Sequence, residues 1–146
     1  MRELKSGNLV YSKSLVKEIA HQHPESAITI LANRKQKREW IDIKGVTVIA
    51  LPFTGFLAID ILLEQVYSYF YLLLAKPDVY HTTSTFIPLT PKNTINIITI
   101  HDLNFLKLEF SKIRTWYKIF YRKQSIARAS QIICISDFTK KELVSH

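Results

Sequence analysis

The sequence predicts an α/β fold with a doubly wound, mostly parallel sheet. Five short runs rich in β-branched residues indicate strands, and helical patterns lie between most of them. The runs are Ala27–Ala32, Val46–Leu51, Asp78–His81, Ile95–Ile100 and Gln131–Ser136. Most are apolar nearly throughout, which is typical of strands covered on both faces of a parallel sheet.

Length and composition indicate one globular domain covering residues 1–146. Hydrophobic residues make up 47% of the 146-residue chain and charged residues 22%, which excludes general disorder.

The single cysteine, Cys134, cannot form an internal disulfide. It lies in an apolar run that we expect to be buried, which favours a reducing compartment. No N-terminal signal peptide is visible in the first eight residues, which are mostly polar and charged.

Apolar periodicity predicts four helices. The second is apolar almost all round, so we expect it to be buried against the sheet. It also contains Asp60 and Glu64, and a carboxylate near the centre of a bilayer costs about 2.5–3.5 kcal/mol, so we favour a buried helix over a membrane span. Either Ser136 or Asp137 is placed to cap the last helix. The four helices are Leu9–Gln22, Phe56–Lys76, Ile113–Ala129 and Asp137–Ser145.

The start of the chain predicts that the sheet lacks its first strand. Met1–Lys5 is a poor strand, and the first clear element is a helix. In doubly wound folds of the dinucleotide-binding type the first strand lies in the middle of the sheet, so its neighbours would lose a partner. The alternative is a short strand formed by Arg2–Lys5. A late start site or a split gene would explain both this start and an end close to a helix.

Polar residues follow three predicted strands, where ligands of doubly wound sheets bind. His101 follows the fourth run, and its imidazole could bind a substrate hydroxyl or act as a general base. Asp102 beside it could orient a ring or bind a hydroxyl. The alternative is a histidine bonded to a backbone carbonyl, with Asp102 starting a turn. His81 has the same position on the third run, where a structural role is favoured.

Weaker candidates lie at two helix starts. Gly7 could let a phosphate approach backbone N–H groups, although an ordinary turn is the favoured explanation of a single glycine. Ser136 and Thr139 could bind an anion, but capping also explains Ser136. A metal site formed by His81, His101 and Asp102 is the alternative, but no HxxxH or CxxC spacing supports it, so it is not favoured. We expect no cofactor.

A basic segment between Ser111 and Arg128 contributes +6 to the net charge of +8, and it contains no acidic residue. Such a block predicts an anionic partner. Aromatic residues interleave with the cations, which suits the surface of an anionic membrane. A solvated helix face whose aromatic residues pack inward fits equally well. The cations chosen for the membrane surface are Lys112, Arg114, Lys118, Arg122 and Lys123.

Four segments, in this order, resemble the N-terminal domain of family 4 glycosyltransferases, which have the two-domain GT-B fold with Rossmann-like halves. Gly7–Tyr11 and Leu15–Ile19 resemble the glycine-containing turn and first helix. The other three are Asp78–His81 for "D-V-h-H", Ile98–Leu103 for "T-x-H-D-L", and Ala127–Leu143 for "A-D-x-I-I-x-x-S-x-x-T-x-x-x-L". Ser130 departs from this last pattern, because it stands where the family usually has an acid.

The resemblance implies transfer of a hexose from a nucleotide-sugar donor to a glycan or lipid-linked acceptor that docks on this domain. His101 matches the family histidine near the reacting sugar, and Gly7 matches the turn near the donor phosphates. The resemblance also implies a cytoplasmic enzyme, peripheral on the inner membrane face. The donor-binding C-terminal domain is absent, so we expect no turnover by this half alone. Alternative hypotheses are a basic module that binds nucleic acid, which we do not favour, and an inert gene remnant.

Overall fold

The structure is a computed structural model that describes residues 7–34, 36–52, 54–55, 57–83, 87–102, 120 and 123–145. It confirms the predicted α/β class, with parallel strands and helices between them. The helices are α1 (Gly7–Gln22), a 3-10 helix (Lys37–Trp40), α2 (Leu57–Ala75) and α3 (Asp137–Val144). The strands are β1 (Ile28–Asn33), β2 (Val46–Leu51), β3 (Val79–Thr82), β4 (Ile95–Ile100) and β5 (Gln131–Cys134). Residues 123–128 are also helical.

The described strands form two sheets, and the chain divides into two compact units, Met1–Ser68 and Tyr69–His146. In the first unit, β1 and β2 pair in parallel from Ile28–Val46 to Asn33–Leu51. A core cluster on this sheet is formed by Ile30, Ala32, Trp40 and Ile43, with Leu9, Val16, Val46 and Val48 packed against it. Leu9 and Val16 therefore pack α1 against this core cluster. The predicted absence of a first strand concerns residues before Gly7, which lie outside the described residues.

In the second unit β4 is central, with β3 and β5 paired to it in parallel. Ile98 and Ile100 of β4 form a core cluster with Ile87. Tyr80, Ile126, Ala129 and Leu143 pack against this cluster, so the helical residues 123–128 and α3 contribute to the same apolar layer. From β3 onward the described elements of this unit are β3, β4, the helical residues 123–128, β5 and α3, with β4 in the middle of the sheet.

The prediction that most strands are buried on both faces holds for some strands and is wrong for others. It holds for β4, whose residues from Asn96 to Ile100 are buried or half-buried. In β5 the residues Gln131–Ile133 are exposed and Cys134 is only half-buried. The physical reason is position, because β5 lies at one end of the described sheet and has a hydrogen-bonded neighbour on one side only.

The prediction that the second helix is buried was also wrong. Among the α2 residues whose burial the structure describes, only Ser68 and Leu72 are buried, and seven large apolar side chains are exposed. With 3.6 residues per turn, the exposed residues lie within an arc of about 140° on the side opposite the buried pair. They are Ile59, Leu62, Val66, Tyr67, Phe70, Leu73 and Leu74. No helix among the described residues is both long and apolar enough to cross a membrane.

Asp60 has a structural role at the start of α2. Its carboxylate accepts hydrogen bonds from the backbone N–H of Thr54 at 2.6 Å, from the Thr54 hydroxyl at 2.7 Å and from the backbone N–H of Gly55 at 3.1 Å. Gly55 has a φ of 92°, a conformation that glycine adopts without strain. An acidic side chain in the first turn also interacts favourably with the helix dipole. Asp60 thus fixes the entry of the chain into α2.

Candidate functional site

The buried side chains of Thr94 and Asn96 make hydrogen bonds at the amino ends of β3, β4 and β5. The Asn96 amide donates to the Thr90 hydroxyl at 2.8 Å, and the backbone N–H of Ser130 donates to the Asn96 carbonyl at 2.7 Å. The Thr94 hydroxyl donates to the Pro77 carbonyl at 3.1 Å. Polar groups at this edge of the sheet therefore serve the fold. The opposite edge, where the carboxyl ends of all three strands meet, is the better candidate for a site.

His101 follows β4 directly and lies at this carboxyl edge. It is half-buried and belongs to neither core cluster, although its Nε2 atom is shielded from solvent. Its backbone carbonyl accepts a hydrogen bond of 3.3 Å from the Thr139 hydroxyl. One residue earlier, the Ile100 carbonyl accepts from the backbone N–H of Ile135 at 3.4 Å. The backbone that carries the imidazole is thus held by β5 and α3.

Ser136 and Thr139 act together at the start of α3. Ser136 is the N-cap, and its side chain accepts from the backbone N–H of Thr139 at 3.1 Å. The two hydroxyl oxygens are 3.0 Å apart, and Thr139 is only 4% exposed. This confirms Ser136 as a cap and gives Thr139 a structural task, which is to tie α3 to the backbone of His101. Anion binding by either residue stays a prediction.

His81 lies in β3 and is hydrogen-bonded to the next strand. Its Nε2 atom is 2.8 Å from the hydroxyl oxygen of Thr99 in β4. Thr99 is 2% exposed, whereas His81 is half-buried. Burial lowers the pKa of His81 below its ordinary value of 6.5, because desolvation penalises the charged imidazolium. His81 is therefore a neutral imidazole at neutral pH. The sequence analysis did not name Thr99 as a site residue. Its position two residues before His101 on the same predicted strand could have indicated it.

The lowered pKa predicts how stability changes with pH. The unfolded chain binds a proton at His81 near pH 6.5, whereas the folded chain binds it only at a lower pH. The contribution of neutral His81 to the free energy of unfolding is therefore fully present above about pH 6.5 and falls as the pH decreases. Each unit between the folded and unfolded pKa is worth about 1.4 kcal/mol. We expect His81→Asn to reduce the loss of stability between pH 7.5 and pH 5, measured by urea unfolding. Equal losses in both proteins would show that His81 does not carry this effect.

The structure describes three of the remaining predicted residues, Asp102, Gly7 and Lys123. Asp102 is exposed directly after His101. Gly7 is the first residue of α1, in the other compact unit, and a Cβ added there would meet no atom within 4 Å. Lys123 is exposed. The other four cations of the predicted membrane surface, Lys112, Arg114, Lys118 and Arg122, lie outside the described residues.

An open groove of about 630 Å³ runs beside β5 and α3. Its polar lining consists of Ser136, Asp137 and Lys140, and its apolar lining includes Ile132 and Leu143. Neither His81 nor His101 lines it, so the groove and the two histidines are separate features of this edge. Among the described residues no group of three or more His, Cys, Asp or Glu side chains could hold a metal ion.

The family model of Glycosyltransferase Family 4 matches residues 10–146. The match includes all five strands, α2 and α3, and the residues His81, His101, Asp102, Ser136 and Thr139. No curated protein and no solved structure matches the chain. Because the family match covers nearly the whole sequence and agrees with the parallel α/β architecture, the chain belongs to Glycosyltransferase Family 4 and is a domain of a glycosyl-transferring enzyme.

Proposed function

We propose that this chain is the acceptor-side part of a glycosyltransferase that moves a hexose from a nucleotide sugar to a glycan or lipid-linked acceptor. The observation that carries the proposal is the position of His101, directly beyond the central strand β4 at the carboxyl edge of its sheet. Residues 1–146 then act as one acceptor domain. The donor binds mainly to a second domain, and transfer needs groups from both domains.

In this proposal His101 positions or deprotonates the acceptor hydroxyl. A general base must lie within hydrogen-bond reach of the proton that it removes, and a rigid backbone around it keeps that geometry. The hydrogen bond from Thr139 to the His101 carbonyl supports such rigidity. Asp102, which is exposed beside His101, binds an acceptor hydroxyl. His81 binds a second acceptor group, and Ser136 with Thr139 binds an anionic group at the start of α3.

The proposed location is the cytoplasmic side of the inner membrane, where the protein is peripheral and acts on a glycan or lipid-linked acceptor. A net charge of +8 favours approach to anionic lipid headgroups. The cations assigned to this contact are Lys112, Arg114, Lys118, Arg122 and Lys123. Gly7 is assigned to the donor side, near the phosphates.

A transfer assay tests the proposal. The chain is joined to a donor-binding domain that carries the E-x7-E carboxylates, and nucleoside diphosphate release is measured with a panel of nucleotide sugars and of free and lipid-linked glycans. We expect release that depends on both halves and on an acceptor. The proposal would be contradicted if nucleoside diphosphate release did not depend on an acceptor and the chain bound nucleic acid in a salt-sensitive way. That result would favour the basic-module hypothesis.

A further inference from the structure

The exposed apolar side chains of α2 form one continuous face along the helix. The seven residues extend from Ile59 to Leu74, over about 22 Å, and we call them the apolar face. The only charged residues of α2 are Asp60 and Glu64, and both lie outside the arc of the apolar face. The Asp60 carboxylate is also engaged by Thr54 and Gly55. The apolar face therefore carries no charge.

The apolar face is larger than the patches that monomeric proteins usually expose. Its residues are between 38% and 86% exposed, and with about 200 Å² of surface on each they present about 800 Å² in total. The largest apolar patch of a typical monomer is about 300–600 Å². A stable protein–protein interface covers about 800 Å² on each partner. The apolar face thus offers the area that one side of a stable dimer needs.

Charge distinguishes a second copy of the chain from a lipid surface as the partner of this face. Helices that lie on anionic membranes are rich in Lys and Arg beside their apolar side, whereas α2 has neither and contains two acids. An uncharged apolar face can pack against itself without repulsion, and two-fold dimers are the commonest assemblies. Interface cores are also poor in charge and rich in aromatic residues, and Tyr67 and Phe70 belong to this face. The composition of α2 therefore favours a second copy.

We propose that the chain forms a two-fold symmetric dimer in which the apolar face of α2 packs against the same face of a second copy. Val66 lies near the middle of this face along the helix, and Phe70 lies near the middle of its arc. In a two-fold contact, residues near the axis meet their own counterparts. Since packed helix axes are about 8–10 Å apart, Val66 lies close to its counterpart in the second copy. The dimer does not depend on the proposed transfer activity.

Sedimentation equilibrium of the full 146-residue chain tests the dimer. We expect a dimer with a Kd of about 1 μM or tighter, as is usual for an interface of this size. Phe70→Glu places a charge in the middle of the apolar face and should raise Kd by at least about 100-fold. Phe138→Glu is the matched control, because it makes the same change in α3 at a residue that is 65% exposed, compared with 60% for Phe70. A monomeric wild-type chain, or equal loss of the dimer in both variants, would overturn the proposal.

Cross-linking tests which surface forms the contact. In a Cys134→Ala background, mild oxidation of Val66→Cys should give a disulfide-linked dimer, because facing residues lie within the Cα–Cα reach of a disulfide, about 4.4–6.8 Å. Ile41→Cys, at an exposed residue outside α2, should stay uncross-linked. Equal cross-linking of both variants would overturn the proposal. So would a monomeric chain that binds phosphatidylglycerol vesicles and loses this binding in Phe70→Glu, because the apolar face would then contact a membrane.

Discussion

We expect replacement of His101 by alanine to lower kcat by about 10²- to 10⁴-fold when the chain is assayed together with a donor-binding domain. This is the usual contribution of a positioned general acid or base. His101 lies directly after β4, and its backbone contact with Thr139 uses the carbonyl oxygen, which alanine retains. The substitution therefore removes the imidazole while it preserves the hydrogen bonds that hold this turn. Single-turnover and steady-state assays of sugar transfer give the measurement.

His23→Ala is the matched control, because it removes an exposed imidazole from the turn after α1. The His23 imidazole lies 3.4 Å from the Glu25 carboxylate at the surface, where such a pair contributes little, so the control should leave kcat within about 2-fold. Unchanged turnover in His101→Ala would remove this residue from the mechanism. Equal losses in both variants would point to damage of the fold, which urea unfolding of each variant detects.

Ile98→Ala is expected to reduce the free energy of unfolding by about 2–5 kcal/mol. Ile98 is 0% exposed, is central in β4 and belongs to the core cluster with Ile87 and Ile100. Truncation removes buried methyl groups and leaves a cavity that packed neighbours fill only in part. Since natural domains are stable by only about 5–15 kcal/mol, such a loss is a large fraction of the total. Urea unfolding followed by circular dichroism measures it.

Ile95→Ala on the same strand provides the comparison, because Ile95 is 48% exposed at the start of β4. The chemical change is identical, so the difference between the variants isolates burial, and we expect Ile95→Ala to cost less than about 1 kcal/mol. Ile98→Val should lie between them, at about 0.5–1.5 kcal/mol. If Ile98→Ala cost no more than Ile95→Ala, the assignment of Ile98 to the core would be wrong.

Local structure was largely predictable from the sequence. The bounds of β2 and β4 agree with the predicted runs, and α3 begins after the predicted cap Ser136. Periodicity and capping act over a few residues, so these elements can be recognised without knowing their neighbours. The candidate site was predictable to the same extent, because His101 and Ser136 follow strands that were recognised in this way.

The sequence by itself determined the family, the parallel α/β class and the residues that follow each strand, because these properties depend on short stretches of sequence. Tertiary structure decided which apolar residues are covered. It exposes one face of α2 and most of β5, since burial depends on what packs against an element and not on its own composition. It also decided that His81 meets Thr99 and that Thr139 holds His101, because register and packing bring together residues 18 and 38 positions apart.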